Sequence, residues 1–482
     1  MTCQLPIDCL NEIFEYLEED SHTLYSCLLV NHLWCEISVR ILWRYIWNSK
    51  EIYSIKMPTS ILNTLIACLP NESKKLLHEN KIFISTPTSK PPLFNYAAFC
   101  KVLSIDYIYR LVNSRSLKDG NHLVVDEIVK MFAKQIYSLK KLVYCNEQQY
   151  VKFSLPYFPG ISDLSELHCS SSLSSNFFYW LSQLCHNLQS ISISFYCDAS
   201  DELKELISLQ NNLKSLTLSS DEGSWKDIVP ILTKHSHTIT RLRLYSDNRD
   251  LPYSFISLFT NLQEFVFSYM DGSIFEDFKM LQYVKFSKLQ SLNIPYQCPK
   301  PEYVMKFLEN NGKNLKKFHT DESNKGLSLS IPNFCPNLKS LFVIFYDGES
   351  DVLKNIFIKC QYLESIKIWC GDGFLSEKEV FETVANYSSD NFCELKIYNE
   401  SCTHVISSKD LESFFINWNN RISKKLLTLT IIKENDIYAY LHNNDENMKI
   451  IEKYKNLGIV RINIITYEDE SREEEDDYYF YN

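Results

Sequence analysis

Asn337-Leu338-Lys339-Ser340-Leu341 returns, with small changes, as Asn187-Leu188-Gln189-Ser190-Ile191, Asn212-Leu213-Lys214-Ser215-Leu216, Asn261-Leu262-Gln263-Glu264-Phe265 and Asn314-Leu315-Lys316-Lys317-Phe318. Weaker copies start at Leu139, Leu164, Ile239, Leu289, Leu363, Phe392, Leu426 and Leu457. The thirteen starts are separated by steps of 25, 24, 25, 26, 23, 27, 26, 23, 25, 29, 34 and 31 residues. One L-x-x-L-x-L phrase means little in a chain that contains many leucines. Its return at nearly constant intervals identifies a structural repeat.

A step of this size matches the leucine-rich repeat, whose period is roughly 20 to 29 residues. Helical runs lie between the strand phrases, at Asn176 to Cys185, Trp225 to Lys234, Glu302 to Asn310, Val352 to Cys360 and Glu377 to Ala385. A strand-helix unit this small cannot close its own core, so neighbours must stack. Residues 139–466 are therefore expected to form an α/β leucine-rich-repeat solenoid of about thirteen repeats, curved, with parallel strands on the concave face. The Asn or Cys expected three residues beyond the third apolar position is mostly absent, and the last three steps are expected to hold larger loops.

Side chains alternate along a strand, so the third, fifth and seventh positions of each phrase point off the concave face. That rule selects Arg241, Arg243 and Tyr245 in the fifth repeat, Lys367 and Trp369 in the tenth, Lys396 and Tyr398 in the eleventh, and Arg461 in the thirteenth. Aromatic and arginine side chains are the usual anchors of protein interfaces. These residues are the candidates for binding a target protein.

Residues 1–47 read as three short amphipathic helices. Pro6 suits an opening turn, and Leu10, Ile13, Phe14 and Leu17 come after it at i, i+3, i+4 and i+7. Asp20 or Ser21 can cap a second helix, Thr23 to Val30, and Asn31 a third that carries Trp34, Ile37, Ile41, Leu42 and Trp43. So short a segment cannot bury this many apolar groups within itself. A partner or the rest of the chain must cover some of them.

The string Leu5-Pro6-Ile7-Asp8-Cys9-Leu10-Asn11-Glu12-Ile13-Phe14-Glu15-Tyr16-Leu17, then Leu24-Tyr25-Ser26-Cys27-Leu28-Leu29-Val30-Asn31, then Trp34 and Leu42-Trp43, resembles the F-box in a form common in expanded fungal sets. The repeats resemble those of F-box proteins, where phrases such as Cys335-Pro336-Asn337-Leu338-Lys339-Ser340-Leu341 and Cys185-His186-Asn187-Leu188 are typical. The resemblance implies a Skp-family adaptor as partner and, through it, the cullin and RING subunit of an SCF-type ubiquitin ligase. It implies adaptor contacts at Leu5, Pro6, Leu10, Ile13, Leu28 and Val30, with Trp34 either in that contact or holding the helices together. It also implies that the solenoid captures a target protein, whose identity is not written in the sequence. Other readings are a scaffold without target turnover, or a repeat sensor of a small molecule or peptide. Basic residues usual in the third helix are reduced to Arg40 and Arg44.

Residues 48–138 read as a helical linker, with a helix pair around Pro70, a loop from Ser85 to Pro92, and helices from Asn95 to Asn113 and Asp126 to Lys140. The net charge of -11 disfavours nucleic-acid and anionic-membrane partners. Glu468 to Asp477 alone holds eight acidic residues and one arginine; residues 467–482 are expected to be a disordered, solvated tail. Covering basic concave residues is a lesser possibility for it.

Glycine, ten residues in 482, is too scarce for phosphate-cradling loops. No nucleotide-binding, hydrolase or zinc-protease motif occurs, and no RING-like zinc array is formed. No catalytic residue, metal or cofactor is expected; ubiquitin transfer would belong to partner subunits. Sixteen cysteines without a C-x-x-C pair, no targeting signal and no long apolar run suggest reduced thiols in the cytoplasm or nucleus.

Overall fold

The structure is a computed structural model that describes residues 5–48, 57–82, 92–114, 120–145, 158–220, 222–246, 254–269, 278–295, 299–321, 324–399, 406–421, 425–433, 444–467 and 470. The chain forms two compact units, one of residues 1–215 with 222–232 and the other of 216–221 with 233–482. Both are α/β units of leucine-rich-repeat type.

The first unit opens with α1 (Ile7–Glu15), α2 (Ser21–Cys27) and α3 (His32–Arg44), then α4 (Met57–Cys68) and α5 (Asn71–Glu79), the pair expected around Pro70. The expected single helix over 95–113 is instead α6 (Tyr96–Phe99), strand β1 (Val102–Ser104) and α7 (Ile105–Asn113). Two interactions divide it. Val102, Leu103 and Ser104 pair in parallel with Lys141, Leu142 and Val143, and the Ser104 hydroxyl accepts the Tyr107 N–H at 3.1 Å, capping α7. The next helix, α8 (Asn121–Gln135), stops before Lys140 because Ile136 is already extended. Residues 85–91 of the expected loop lie outside the described residues. Beyond β1 come β2 (Lys141–Tyr144), β3 (Glu166–Ser170) and β4 (Ser190–Phe195), each parallel to the strand before it. At β5 (Ser215–Ser220) the two units divide.

The second unit carries β6 (Arg241–Ser246), β7 (Glu264–Tyr269), β8 (Ser291–Ile294), β9 (Lys317–Thr320), β10 (Ser340–Phe342), β11 (Ser365–Cys370), β12 (Glu394–Asn399), β13 (Leu427–Lys433) and β14 (Val460–Thr466). They lie in chain order, every pair parallel. Parallel neighbours need a crossover. From β8 onward, helices supply it, among them Pro301–Asn311, Lys325–Phe334, Ser350–Lys359 and Glu377–Tyr387. In the phrase that begins at Leu338, the apolar first, fourth and sixth positions, Leu338, Leu341 and Val343, are all fully buried.

The asparagine that precedes the repeat start has a definite task. Asn261, Asn314, Asn337 and Asn391 each donate a side-chain N–H to a carbonyl of the preceding repeat, at His237 (2.7 Å), Ser287 (3.0 Å), Lys313 (2.8 Å) and Gln361 (3.1 Å). These rungs satisfy carbonyls that the strand ladder leaves over. A deeper rung is Asn311, whose Oδ1 accepts the Phe286 N–H at 2.7 Å while its Nδ2 donates to Val284 O at 2.9 Å and Phe307 O at 3.1 Å. Beside it, Gly312 is required for close approach, since a Cβ there would stand 2.7 Å from the Phe334 carbonyl oxygen.

Most described cysteines are buried and all are free thiols. Burial pushes the thiols of Cys185 and Cys360 up to about 12, so they stay protonated and inert. Among the described residues no helix is long and apolar enough to cross a membrane, and no cluster of His, Cys, Asp and Glu is arranged to hold a metal.

Candidate interaction surfaces

Capping shapes the N-terminal module. The Asp20 carboxylate accepts the Thr23 N–H at 3.0 Å and the Asn31 side chain accepts the Trp34 N–H at 3.0 Å, which turns the chain twice and packs α1 and α2 against α3. Leu10, Phe14, Leu24, Cys27, Ile37 and Ile41 form the buried centre, with Leu17, Leu33, Trp34 and Leu42 partly buried around it. The Trp34 ring meets Phe14 edge-on, centroids 5.1 Å apart.

The C-terminal part of α3 and the turn after it are tied to later helices of the first unit. Trp43 packs on Tyr96 of α6 at 4.6 Å, and Trp47 on Tyr107 and Phe132 at 5.6 and 5.9 Å. Other side chains of the module are uncovered among the described residues. Cys9 and Ile13, four residues apart on one face of α1, are exposed, as are Leu5 just before the helix and Tyr16 at its C-cap. Ile7 and the turn residues Leu29 and Val30 add further exposed apolar surface, Leu29 at 89%.

In the second unit, register lines the fifth positions of successive phrases into one row. Arg243 pairs with Val266, Val266 with Asn293, Asn293 with His319, His319 with Phe342, Phe342 with Lys367, Lys367 with Lys396, and Lys396 with Thr430. One step along, Trp369 pairs with Tyr398. Lys367 Nζ lies 2.6 Å from Glu470 Oε2 and Lys396 Nζ 3.6 Å from Glu470 Oε1. Glu470 has no exposed surface. Rings surround the group: Phe342 and Trp369 are 6.3 Å apart, Trp369 and Tyr398 4.9 Å, Trp369 and Phe374 5.9 Å, and Tyr398 and Tyr467 5.5 Å.

No protein-family model matches this chain, and no curated protein matches it. Among solved structures it is similar to a chain of the yeast Rad7 and Elc1 complex, with 14% identity over 91% of this chain and 95% of that one, at a TM-score of 0.41. It is also similar to the leucine-rich repeat-containing protein LegL7 of Legionella pneumophila, with 13% identity over 61% of this chain and 91% of that one, at a TM-score of 0.33. Likenesses this distant carry no argument about function.

Of the residues implied for adaptor contact, Leu5, Pro6, Ile13 and Val30 are exposed and Leu28 is half-buried. Leu10, only 4% exposed, belongs to the module's own centre, and Trp34 is half-buried against Phe14. Ile7, Tyr16 and Leu29 were not singled out from sequence, although they continue the same apolar surface. Arg44 is engaged internally, its Nη1 donating to Glu15 at 2.6 Å and Glu18 at 2.9 Å, and Arg40 donates to Asn11 at 3.0 Å. The Arg44 hydrogen bond holds the Glu15 carboxyl below its ordinary range.

The target-binding candidates divide into two groups. Lys367, Trp369, Lys396 and Tyr398 come together as cross-strand neighbours, Lys367 and Tyr398 being buried. Arg241, Arg243 and Tyr245 stand on β6, five strands or about 24 Å away. There Arg241 is exposed, Arg243 pairs with Glu264 at 2.9 Å, and Tyr245 is buried. Arg461 is exposed on β14. Phe342 and His319 occupy fifth positions of their own phrases and obey the selection rule unnoticed. Glu470, within the run expected to be solvated, is buried; 468, 469 and 471–482 lie outside the described residues.

His319 gives this face a pH dependence. Burial, together with the charges of Lys317, Lys367 and Lys396, holds its imidazole well below the usual value, and its Nε2 lies 3.0 Å from the Ser340 hydroxyl. Below the ordinary histidine value the unfolded chain takes up a proton that the folded one refuses, so stability falls as pH falls through that window. Its loss can reach about 1.4 kcal/mol per pH unit. Urea unfolding between pH 7.5 and 5.5 is expected to show this slope, and His319→Gln to reduce it.

Proposed function

We propose that this chain is the non-catalytic target-recognition subunit of an SCF-type ubiquitin ligase, acting in the cytoplasm or nucleus. The N-terminal module docks on a Skp-family adaptor, which connects it to a cullin and a RING subunit, and the sheet face of the second unit that carries Lys367 and Lys396 holds a target protein. One observation carries this reading: α3 and the turn after it are anchored through Trp43 and Trp47 while Leu5, Cys9, Ile13, Tyr16, Leu29 and Val30 remain uncovered among the described residues. Several large apolar side chains left exposed on one small module mark an interaction site. The resemblance of Leu5 to Trp43 to the F-box supplies the partner. The module is the adaptor's docking element and the repeats are the variable grip, so the chain itself transfers nothing.

The test is Ile13→Asp combined with Leu29→Asp in the full chain. Both side chains are exposed, so the thermal transition stays in place. Burying two such side chains at a partner contributes about 1.5 to 3 kcal/mol each, so affinity for a purified Skp-family adaptor is expected to fall by more than about 100-fold. Undiminished adaptor binding by the double variant overturns the proposal.

A further inference from the structure

Two lysines side by side on a sheet face, both largely out of solvent, call for a chemical explanation. Lysine is almost never fully buried unless paired, and like charges directly opposite across a strand pair repel. Lys367 and Lys396 are in register on β11 and β12, and their side chains are 7% and 18% exposed. The two ammoniums share the one carboxylate of Glu470. Its fit is uneven: Oε2 sits 2.6 Å from Lys367, whereas Oε1 is 3.6 Å from Lys396 and makes no hydrogen bond among the described residues. The anion comes from a residue 103 positions away in the chain rather than from the repeats that carry the lysines. Aromatic rings complete the enclosure, with Lys367 Nζ 4.5 Å from the Phe342 centroid and 5.8 Å from that of Tyr467.

We propose that Lys367 and Lys396, with the rings of Phe342, Trp369 and Tyr398, form a recognition site for an acidic linear segment of the target protein, and that Tyr467 and Glu470 hold it as an internal stand-in. This rests on the reading of the sheet face as the target-binding surface. The stand-in displays the chemistry of the ligand: an aromatic ring three residues before a carboxylate, the ring on Tyr398 and the acid between the lysines. A target segment must displace it, so affinity is set by competition with a tethered group of the same kind. The site selects by charge together with aromatic contact, which a general basic patch would not do.

The experiment uses the full chain without adaptor and a fluorescent peptide of the sequence Tyr467 to Asp477. Glu470→Ala, which vacates the site, is expected to bind this peptide at least tenfold more tightly than the unchanged chain. Adding Lys396→Met to Glu470→Ala is expected to remove at least tenfold of that affinity, as is replacing the glutamate at the fourth peptide position by glutamine. Glu470→Gln keeps the packing and serves if the alanine variant fails to fold; peptide should raise the melting temperature of either variant more than that of the unchanged chain. Equal affinity for the unchanged and vacated chains, or binding indifferent to Lys396→Met, overturns the proposal. Adaptor binding by α1 is untouched by either result, so failure here is distinguishable from failure of the ligase reading.

Discussion

Phe14→Ala is expected to lose about 3 to 5 kcal/mol from the N-terminal module, the usual cost of truncating a buried phenylalanine. Phe14 is 2% exposed at the centre of the three-helix cluster and is the ring against which Trp34 stands edge-on at 5.1 Å. Its removal takes contacts from both α1 and α3, and a domain this small has little stability to lose. Hydrogen exchange is the informative measurement. Amides of Ile7–Glu15, Ser21–Cys27 and His32–Arg44 should exchange far faster in the variant, while those of Ser365–Cys370 and Glu394–Asn399 keep their protection. Unchanged protection in α1 to α3 would mean that Leu10, Ile37 and Ile41 hold the module without the ring. Adaptor capture should fail with Phe14→Ala, for loss of the folded helices rather than of a contact, which separates it from the surface variant at Ile13 and Leu29.

Asn311→Leu is expected to cost about 3 kcal/mol or more, although leucine shares the branched outline of asparagine, because it replaces a hydrogen-bonding amide by a bulkier apolar group. The substitution leaves the buried Phe286 N–H and the Val284 carbonyl without their side-chain partner, at about 1 to 3 kcal/mol for each orphaned group. The urea midpoint of the second unit should fall with little change in slope, since the surface exposed on unfolding is nearly the same. Asn337→Leu provides the contrast. Its rung to Lys313 is on the exposed side, where water can replace the lost donor, and the expected cost is below about 1 kcal/mol. Equal effects from the two variants would show that burial is not what makes the Asn311 rung matter.

The repeat array was legible because its signal is local and recurrent. Ser340, Ser365 and Glu394 open their strands two residues after the starts read at Leu338, Leu363 and Phe392. The same regularity hid β1, since Val102-Leu103-Ser104 lacks the Asn-Leu lead-in and is a strand only because Lys141–Val143 lie beside it. In α1, the i, i+3, i+4, i+7 pattern placed Leu10 and Ile13 on one face. At 100° per residue Ile13 stands about 60° from Leu10 and on the other side of it from Phe14, far enough to leave the core at 48% exposure. The lysine pair could be chosen from strand alternation, whereas its carboxylate could not. Nothing near Glu470 distinguishes it from the other acids of its run, and its role depends on a chain that returns from 103 residues away.

That separation also fixes an order of events at the ribosome. In the second unit each strand from β7 onward pairs with the one made just before it, so repeats can dock as they emerge, and the face bearing Lys367 and Lys396 is complete early. At roughly 5 to 20 residues per second, Glu470 is made about 5 to 20 seconds after Lys367. A nascent chain therefore passes through an interval in which both ammoniums stand ready and their tethered carboxylate has not yet been synthesised.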